Sequence, residues 1–190
     1  MPKKALIVVD VQNDFCAGGS LAVPDAEAIL PVVNREIERF RKDLDAYVVF
    51  TKDWHPAAHS SFTTNSPEGI WPPHCVQGTV GAEIHPGVIG EADVVILKGE
   101  HPEVDSYSAF FDNNKAWKTG LDEWLRSRQV ETLYVLGLAT DYCVKFTVLD
   151  ALSLGYDVRL IADGCRGVNV RPSDSADAIR EMKAAGAVIA

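Results

Sequence analysis

Asp10, Lys98 and Cys143 each stand at or shortly beyond the end of an apolar run rich in β-branched residues. If these runs are parallel strands, their carboxyl ends meet at one edge, which is where open α/β sheets bind ligands. Taken singly, the three are most simply a turn residue, a solvated amine and an inert buried thiol. Their coincidence at one edge of a sheet favours a reactive site.

An acid, an amine and a thiol at one site suit attack on an acyl carbon. The thiol pKa, about 8.5 in water, falls at a helix N-terminus or beside a cation, so we expect the following helix and Lys98 to lower the pKa of Cys143. Asp10 is expected to accept the thiol proton and return it to the leaving group. Backbone N–H groups in 137–143 would stabilise the oxyanion of a tetrahedral intermediate. The set predicts hydrolysis of an amide through a thioester.

A second group of side chains has the types and spacing of metal ligands. Asp53 and His55 are alternate residues after the second apolar run, so in extended chain they share a face, and His74 can return across the loop as a third ligand. One carboxylate and two imidazoles suit Zn²⁺, Fe²⁺ or Mn²⁺. The alternative is that these histidines only hydrogen-bond the loop backbone. His59 is the weaker ligand candidate.

The elements that must position these residues alternate along the chain. Short apolar runs predict strands at Ala5–Val9, Ala46–Thr51, Asp93–Leu97, Thr132–Leu136, Asp157–Ile161 and Ala187–Ile189. Helical spacing occurs between them, at Ala26–Lys42, Gly120–Arg128, Cys143–Leu154 and Ser173–Ala185. This alternation predicts a three-layer α/β/α fold with a central, mainly parallel six-stranded sheet, and residues 1–190 are interpreted as one domain.

One connection, at about 53–92, is far longer than the others and lacks periodicity. Loops beyond about 12–15 residues in a compact domain are usually functional or disordered. This one contains Trp54, Phe62 and Trp71, so we expect it to be ordered and to hold the metal site. Within it, Cys75 is interpreted as a core thiol and His85 as an ordinary loop histidine.

The composition of the chain disfavours some classes of binding partner. The formal charge is −9 and basic residues do not cluster, which argues against nucleic acid and anionic membranes. No segment approaches the roughly 20 apolar residues of a membrane span, and the N-terminal apolar run is too short for a signal peptide. The four cysteines lack paired spacing, so we expect free thiols and a cytoplasmic location. Self-association into a homo-oligomer is left open as an alternative.

Taken in order along the whole chain, the motifs resemble the nicotinamidase/pyrazinamidase family within the isochorismatase-like cysteine hydrolases. The resemblance rests on Asp10-Val-Gln-Asn-Asp-Phe15, Asp53-Trp-His55, Trp71-Pro-Pro-His-Cys75, Lys98-Gly99 and Gly137-Leu-Ala-Thr-Asp-Tyr-Cys-Val144. Other branches of this superfamily resemble the sequence at the edge of the sheet but lack the histidines of the metal site.

The resemblance implies roles that spacing alone does not give. It implies Asp10, Lys98 and Cys143 as a catalytic triad, with an oxyanion hole from the N–H groups of Ala139 and Cys143 and a cis peptide between Leu138 and Ala139. It further implies a pocket for an aromatic ring, formed by Phe15, Trp71 and Tyr107. It also implies one divalent metal ion, Zn²⁺ in preference to Fe²⁺ or Mn²⁺, bound by Asp53, His55 and His74. A fourth ligand stays open among His59, Ser60 and Ser61.

The implied activity is hydrolysis of nicotinamide, and also of pyrazinamide, to the acid and ammonia, with nicotinate entering NAD salvage. A first alternative keeps the enzyme class but changes the substrate to another small amide. A second is a non-catalytic metal-binding protein that uses Cys143 as a redox sensor. Asp10 and Lys98 distinguish them, because a sensor needs no acid/base beside its thiol.

Overall fold

A computed structural model describes residues 3–190 and contains six strands in one parallel sheet. The strands are β1 (Lys3–Val9), β2 (Ala46–Asp53), β3 (Val94–Lys98), β4 (Val130–Leu138), β5 (Asp157–Arg166) and β6 (Val188–Ile189). Their order across the sheet is β3-β2-β1-β4-β5-β6, and every pairing is parallel. All six predicted strands are present, several with longer ends.

Four α-helices follow the predicted pattern with altered beginnings. They are α1 (Leu30–Arg41), α2 (Leu121–Ser127), α3 (Lys145–Ser153) and α4 (Asp174–Ala184). The predicted helix at 26–42 begins as a separate 3₁₀ turn, Ala26–Ile29, and Pro31 lies in the first turn of α1, where its missing N–H costs no hydrogen bond. Likewise, Cys143 lies in a π-helical turn, Thr140–Val144, that precedes α3.

The strand order places a switch point at the centre of the sheet. From β1 the chain builds outward through β2 and β3, then returns to the other side of β1 with β4. Right-handed crossovers in opposite directions put helices on opposite faces, which gives the three layers and buries β1 from both sides. Ligands bind at the carboxyl ends of the strands beside such a switch point.

The segment 53–92 is ordered over this edge although it has little regular structure. It contains one short 3₁₀ turn, Val80–Ala82, and isolated bridges that include Phe62 with Trp71. Phe62 is fully buried and Trp71 nearly so, so the segment is held by its own aromatic side chains. Over residues 3–190, none of the helices combines the length and hydropathy that a membrane crossing requires.

Candidate active site

The predicted acid, amine and thiol meet at the carboxyl edge of the sheet. Lys98 Nζ lies 2.9 Å from Asp10 Oδ2 and donates to Cys143 Sγ at 3.3 Å. It also donates to the Ser106 carbonyl at 2.9 Å and contacts a carboxylate oxygen of Asp53. The side chains of Lys98 and Asp10 are fully buried. The ammonium is therefore shared between two carboxylates and the thiol.

Two glycines allow this close approach of strand ends. Gly137 has φ of 125°, and a Cβ there would lie 2.1 Å from the Val9 carbonyl oxygen, so only glycine lets β4 approach the end of β1 this closely. Gly99 has φ of 67°, and its Cβ would lie 2.3 Å from a ring carbon of His55. The Leu138–Ala139 peptide that follows Gly137 is cis, as the resemblance implied.

Burial sets the protonation of the acid and the thiol. It raises the pKa of the Asp10 carboxyl to about 6, with Lys98 acting in the opposite direction. It also raises the pKa of the Cys143 thiol well above its ordinary value, because the attraction of Lys98 offsets only part of the desolvation. The expected lowering of the Cys143 pKa is therefore wrong. At rest the sulfur carries its proton, so attack requires a base beside it.

Charge pairing determines the protonation states of Lys98 and Asp53. Burial alone would lower the pKa of the Lys98 ammonium, but the carboxylates of Asp10 and Asp53 outweigh it and hold that pKa well above its ordinary value. Burial also opposes ionisation of Asp53, yet Lys98 and His55 keep its pKa well below the usual range. Lys98 and Asp53 thus form a fixed ion pair next to the titrating Asp10.

The three predicted metal ligands lie together and are buried. Asp53, His55 and His74 each offer a ligand atom within 4.8 Å of the others. His55 Nδ1 lies 2.9 Å from the Gly99 carbonyl, and His74 Nδ1 lies 2.8 Å from the Pro72 carbonyl. A carbonyl only accepts, so each Nδ1 carries a hydrogen and Nε2 is the ring nitrogen that could bind a metal. This donor set fits a divalent transition ion.

The three candidates for a fourth ligand are placed differently. His59 is fully buried, its Nδ1 is 2.7 Å from Ser61 Oγ, and its Nε2 has no hydrogen-bond partner within residues 3–190. Its ring groups with His55 and Asp105 rather than with the other two predicted ligands. Ser60 and Ser61 are part-buried. His59 therefore lies outside the group formed by Asp53, His55 and His74.

A small cleft opens beside the thiol, and its walls are mostly apolar. All three predicted ring-pocket residues line it, as do Ala139 and Cys143. The Trp71 indole N–H donates to the Tyr107 hydroxyl at 3.2 Å. Sequence reasoning missed five further wall residues, four from loops without a chemical motif and Tyr142 from the turn that contains Cys143: Leu21, Val23, Asp105, Tyr142 and Val168.

The remaining thiols and histidines lie outside this site. All four cysteines are free and buried, as predicted, and Cys75 is fully enclosed. His85 lies near Cys16 and Glu27, where its Nδ1 accepts the Gly87 N–H at 3.0 Å. His101 stacks on the Trp117 ring at 4.1 Å.

The fold and the site define the class as a cysteine hydrolase with a three-layer α/β/α fold. The isochorismatase domain model matches residues 4–190. The nicotinamidase of Escherichia coli is 52% identical over 203 aligned residues, which cover all of this chain and 95% of that protein. The chain belongs to the isochorismatase family and, within it, to the nicotinamidase/pyrazinamidase branch.

Two solved structures are similar over nearly the whole chain. The L. infantum protein in complex with nicotinate has a TM-score of 0.90 and 40% identity, covering 99% of this chain and 92% of that one. The pyrazinamidase of Pyrococcus horikoshii in complex with zinc has a TM-score of 0.89 and 42% identity, covering 100% and 99%. Both agree with the predicted fold class.

Proposed function

We propose that this protein hydrolyses nicotinamide, and also pyrazinamide, to the carboxylic acid and ammonia. The observation that carries the proposal is the contact of Cys143 Sγ with Lys98 Nζ, itself paired with Asp10, in the wall of a cleft that also contains metal-ligand side chains. The name of the E. coli relative and the nicotinate bound by the L. infantum protein support the choice of substrate.

The mechanism begins with a neutral thiol. Asp10, ionised above a pKa of about 6, takes the Cys143 proton as the sulfur attacks the carboxamide carbon. Asp10 then gives the proton to the leaving nitrogen, so ammonia departs and a thioester remains on Cys143. Water, deprotonated by Asp10, cleaves the thioester and restores the thiol. Lys98 keeps its charge throughout and stabilises the thiolate and the Asp10 carboxylate in turn.

Backbone groups and aromatic walls hold the reacting amide. We assign the oxyanion hole to the N–H groups of Ala139 and Cys143, which both line the cleft at the turn after β4. Phe15, Trp71 and Tyr107 form the walls against which a flat ring packs. These contacts orient the carboxamide toward the sulfur, and orientation is a large part of the rate.

Asp53, His55 and His74 would hold one divalent ion, and we propose Zn²⁺, with Fe²⁺ and Mn²⁺ suited to the same donors. The zinc bound by the P. horikoshii pyrazinamidase supports this choice. When bound, the ion would supply a Lewis acid suited to a ring nitrogen of the substrate. His59 groups with His55 and Asp105 but not with Asp53 or His74, so we propose three protein ligands.

The redox-sensor alternative is disfavoured by the state of the thiol. A sensor cysteine is accessible and has a low pKa. Cys143 is 6% exposed and burial raises its pKa. A thiol that ionises only when Asp10 removes its proton suits catalysis on a bound substrate.

We place the activity in NAD salvage in the cytoplasm, with the whole chain acting as one domain. The nicotinamidase relatives and the four free thiols support this. The net charge of −9 supports a small neutral substrate over nucleic acid or an anionic membrane as partner.

One set of assays tests the substrate. Metal-replete protein is given nicotinamide, pyrazinamide and benzamide, which has the same shape but no ring nitrogen. Because each ~1.4 kcal/mol is tenfold in rate, we expect kcat/KM for the first two at least about a hundredfold above benzamide. An equal kcat/KM for benzamide would show that the protein does not recognise the ring nitrogen. No release of ammonia from any of the three would exclude the proposed substrates.

A further inference from the structure

Thr51 makes two hydrogen bonds to Asp10 through a single oxygen. It lies on β2, is fully buried, and its hydroxyl donates to Asp10 Oδ1 at 2.5 Å. The same oxygen accepts the Asp10 backbone N–H at 3.2 Å. Asp10 has φ of 48°, a conformation that is uncommon outside glycine. One hydroxyl therefore restrains both the backbone and the carboxylate of Asp10.

This contact makes the two oxygens of the Asp10 carboxylate unequal. Oδ1 accepts the Thr51 hydroxyl, whose single hydrogen is then used. Oδ2 lies 2.9 Å from Lys98 Nζ, yet within residues 3–190 it has no hydrogen bond of good geometry. A hydrogen-bonded oxygen has one lone pair fewer to offer a proton. Apart from its ion pair with Lys98, Oδ2 thus carries no hydrogen bond, and it is the oxygen left to accept a proton.

Oδ2 belongs to a carboxylate, that of Asp10, which lies close to the Cys143 sulfur. Asp10, Asp53 and Cys143 offer atoms within 4.8 Å of one another. Asp53 is held in its ion pair with Lys98, and its backbone is fixed by Gln12, whose amide bonds both its N–H and its carbonyl at 2.8 Å. Of the two carboxylates near Cys143, only that of Asp10 depends on Thr51 for its orientation.

We propose that Thr51 is a positioning residue that makes Oδ2 of Asp10 the acceptor of the Cys143 proton. In this step the S–H bond breaks, its electron pair stays on sulfur, and an O–H bond forms at Oδ2. The inference rests on the proposed function for its kinetic consequence. Its geometry is independent of which amide is cleaved.

The test uses matched variants of the metal-replete protein. Thr51→Val keeps the shape but loses both hydrogen bonds, whereas Thr51→Ser keeps the hydroxyl and loses a methyl group. Thr147→Val is the control, because Thr147 is also fully buried and its hydroxyl accepts one backbone N–H, that of Ala109, outside the catalytic groups. For each variant, kcat, KM, metal content and Tm are measured.

The expected result separates orientation from stability. Because positioned proton transfer contributes about 10²–10⁴ to rate, Thr51→Val should lower kcat at least about tenfold with KM and metal content nearly unchanged. Thr51→Ser should recover kcat to within about threefold of wild type, and Thr147→Val should lower Tm without this loss of kcat. If Thr51→Val does not fold, the same kcat loss is expected of Thr51→Ala.

A second readout does not depend on the substrate. Iodoacetamide alkylates thiolates, so the alkylation rate of Cys143, followed by mass spectrometry, reports proton transfer to Asp10. We expect Thr51→Val to slow it and Thr51→Ser to restore it. Equal alkylation and equal kcat in Thr51→Val and wild type would overturn the inference, as would loss of the metal. Wild-type protein that alkylates normally but cleaves no amide would refute only the proposed function.

Discussion

Replacement of Lys98 by methionine removes the cation that is shared by the carboxylates of Asp10 and Asp53. Methionine has nearly the length of the lysine stem, so packing is retained while the charge and the hydrogen bonds are lost. Asp10 and Asp53 then face each other in a buried site without a shared counterion.

The size of the effect follows from burial. Removing one partner of a buried ion pair costs about 3–5 kcal/mol, because an uncompensated charge is left without water. For a chain of this length about 1 kcal/mol corresponds to about 2–4 °C, so we expect Tm to fall by about 6–20 °C in protein stripped of metal. Activity should also be lost, because Asp10 is then protonated at neutral pH and no longer a base.

The loss of stability should depend on pH with a definite sign. Burial already raises the pKa of Asp10 to about 6, and without Lys98 this pKa rises further. An acid whose pKa is raised on folding binds more protons in the folded state, so stability falls as pH rises through the folded pKa. The Tm difference between variant and wild type should therefore be smallest at about pH 5 and grow toward about pH 8.

Lys52→Met is the matched control. Lys52 is also largely buried, but its partner Glu83 is half-exposed, and the two atoms are 3.0 Å apart. An ion pair with one partner in water contributes about 0–1 kcal/mol. If Lys98→Met costs no more than Lys52→Met, or if its Tm difference does not change with pH, the electrostatic account of the site is wrong.

Three further results are expected. Cys143→Ala should abolish turnover of nicotinamide while Cys165→Ala retains it, and mass spectrometry of quenched enzyme should find the acyl group on Cys143 alone; an active Cys143→Ala would contradict the mechanism. His74→Ala should lose the divalent ion by elemental analysis and raise KM strongly, whereas full activity in chelated, metal-free protein would contradict the ligand assignment. In metal-saturated enzyme, kcat/KM should fall on the acid side as Asp10 becomes protonated, with an apparent pKa above the ordinary 3.8 because burial raises the pKa of Asp10. An acid limb with an apparent pKa of 3.8, the ordinary value of aspartate, would show that the group that must be ionised is not a buried Asp10.

The strands and the long connection were predicted well because their signals are local. A strand buried on both faces is a continuous apolar run, and this is visible in any window of the sequence that contains it. The beginnings of helices were predicted less well. Whether 26–29 continues into α1, or Cys143 lies in a π-helical turn, depends on hydrogen bonds to neighbouring segments.

The candidate site was partly predictable for a related reason. Asp10, Lys98 and Cys143 carry reactive groups, and their places at strand ends indicated that they would meet. Thr51 and Tyr142 carry no such signal, because a threonine in a strand or a tyrosine in a turn is ordinary. Their roles arise only from what packs against them.

The sequence by itself determined which elements form and which reactive residues stand at their ends, since both depend on the order of side chains along the chain. Tertiary structure alone decided the charge state of those residues. Local reasoning expected the helix and Lys98 to lower the pKa of Cys143, but burial raises it. Desolvation is a sum over every group that excludes water from the sulfur, and those groups come from distant segments that only the folded chain brings together.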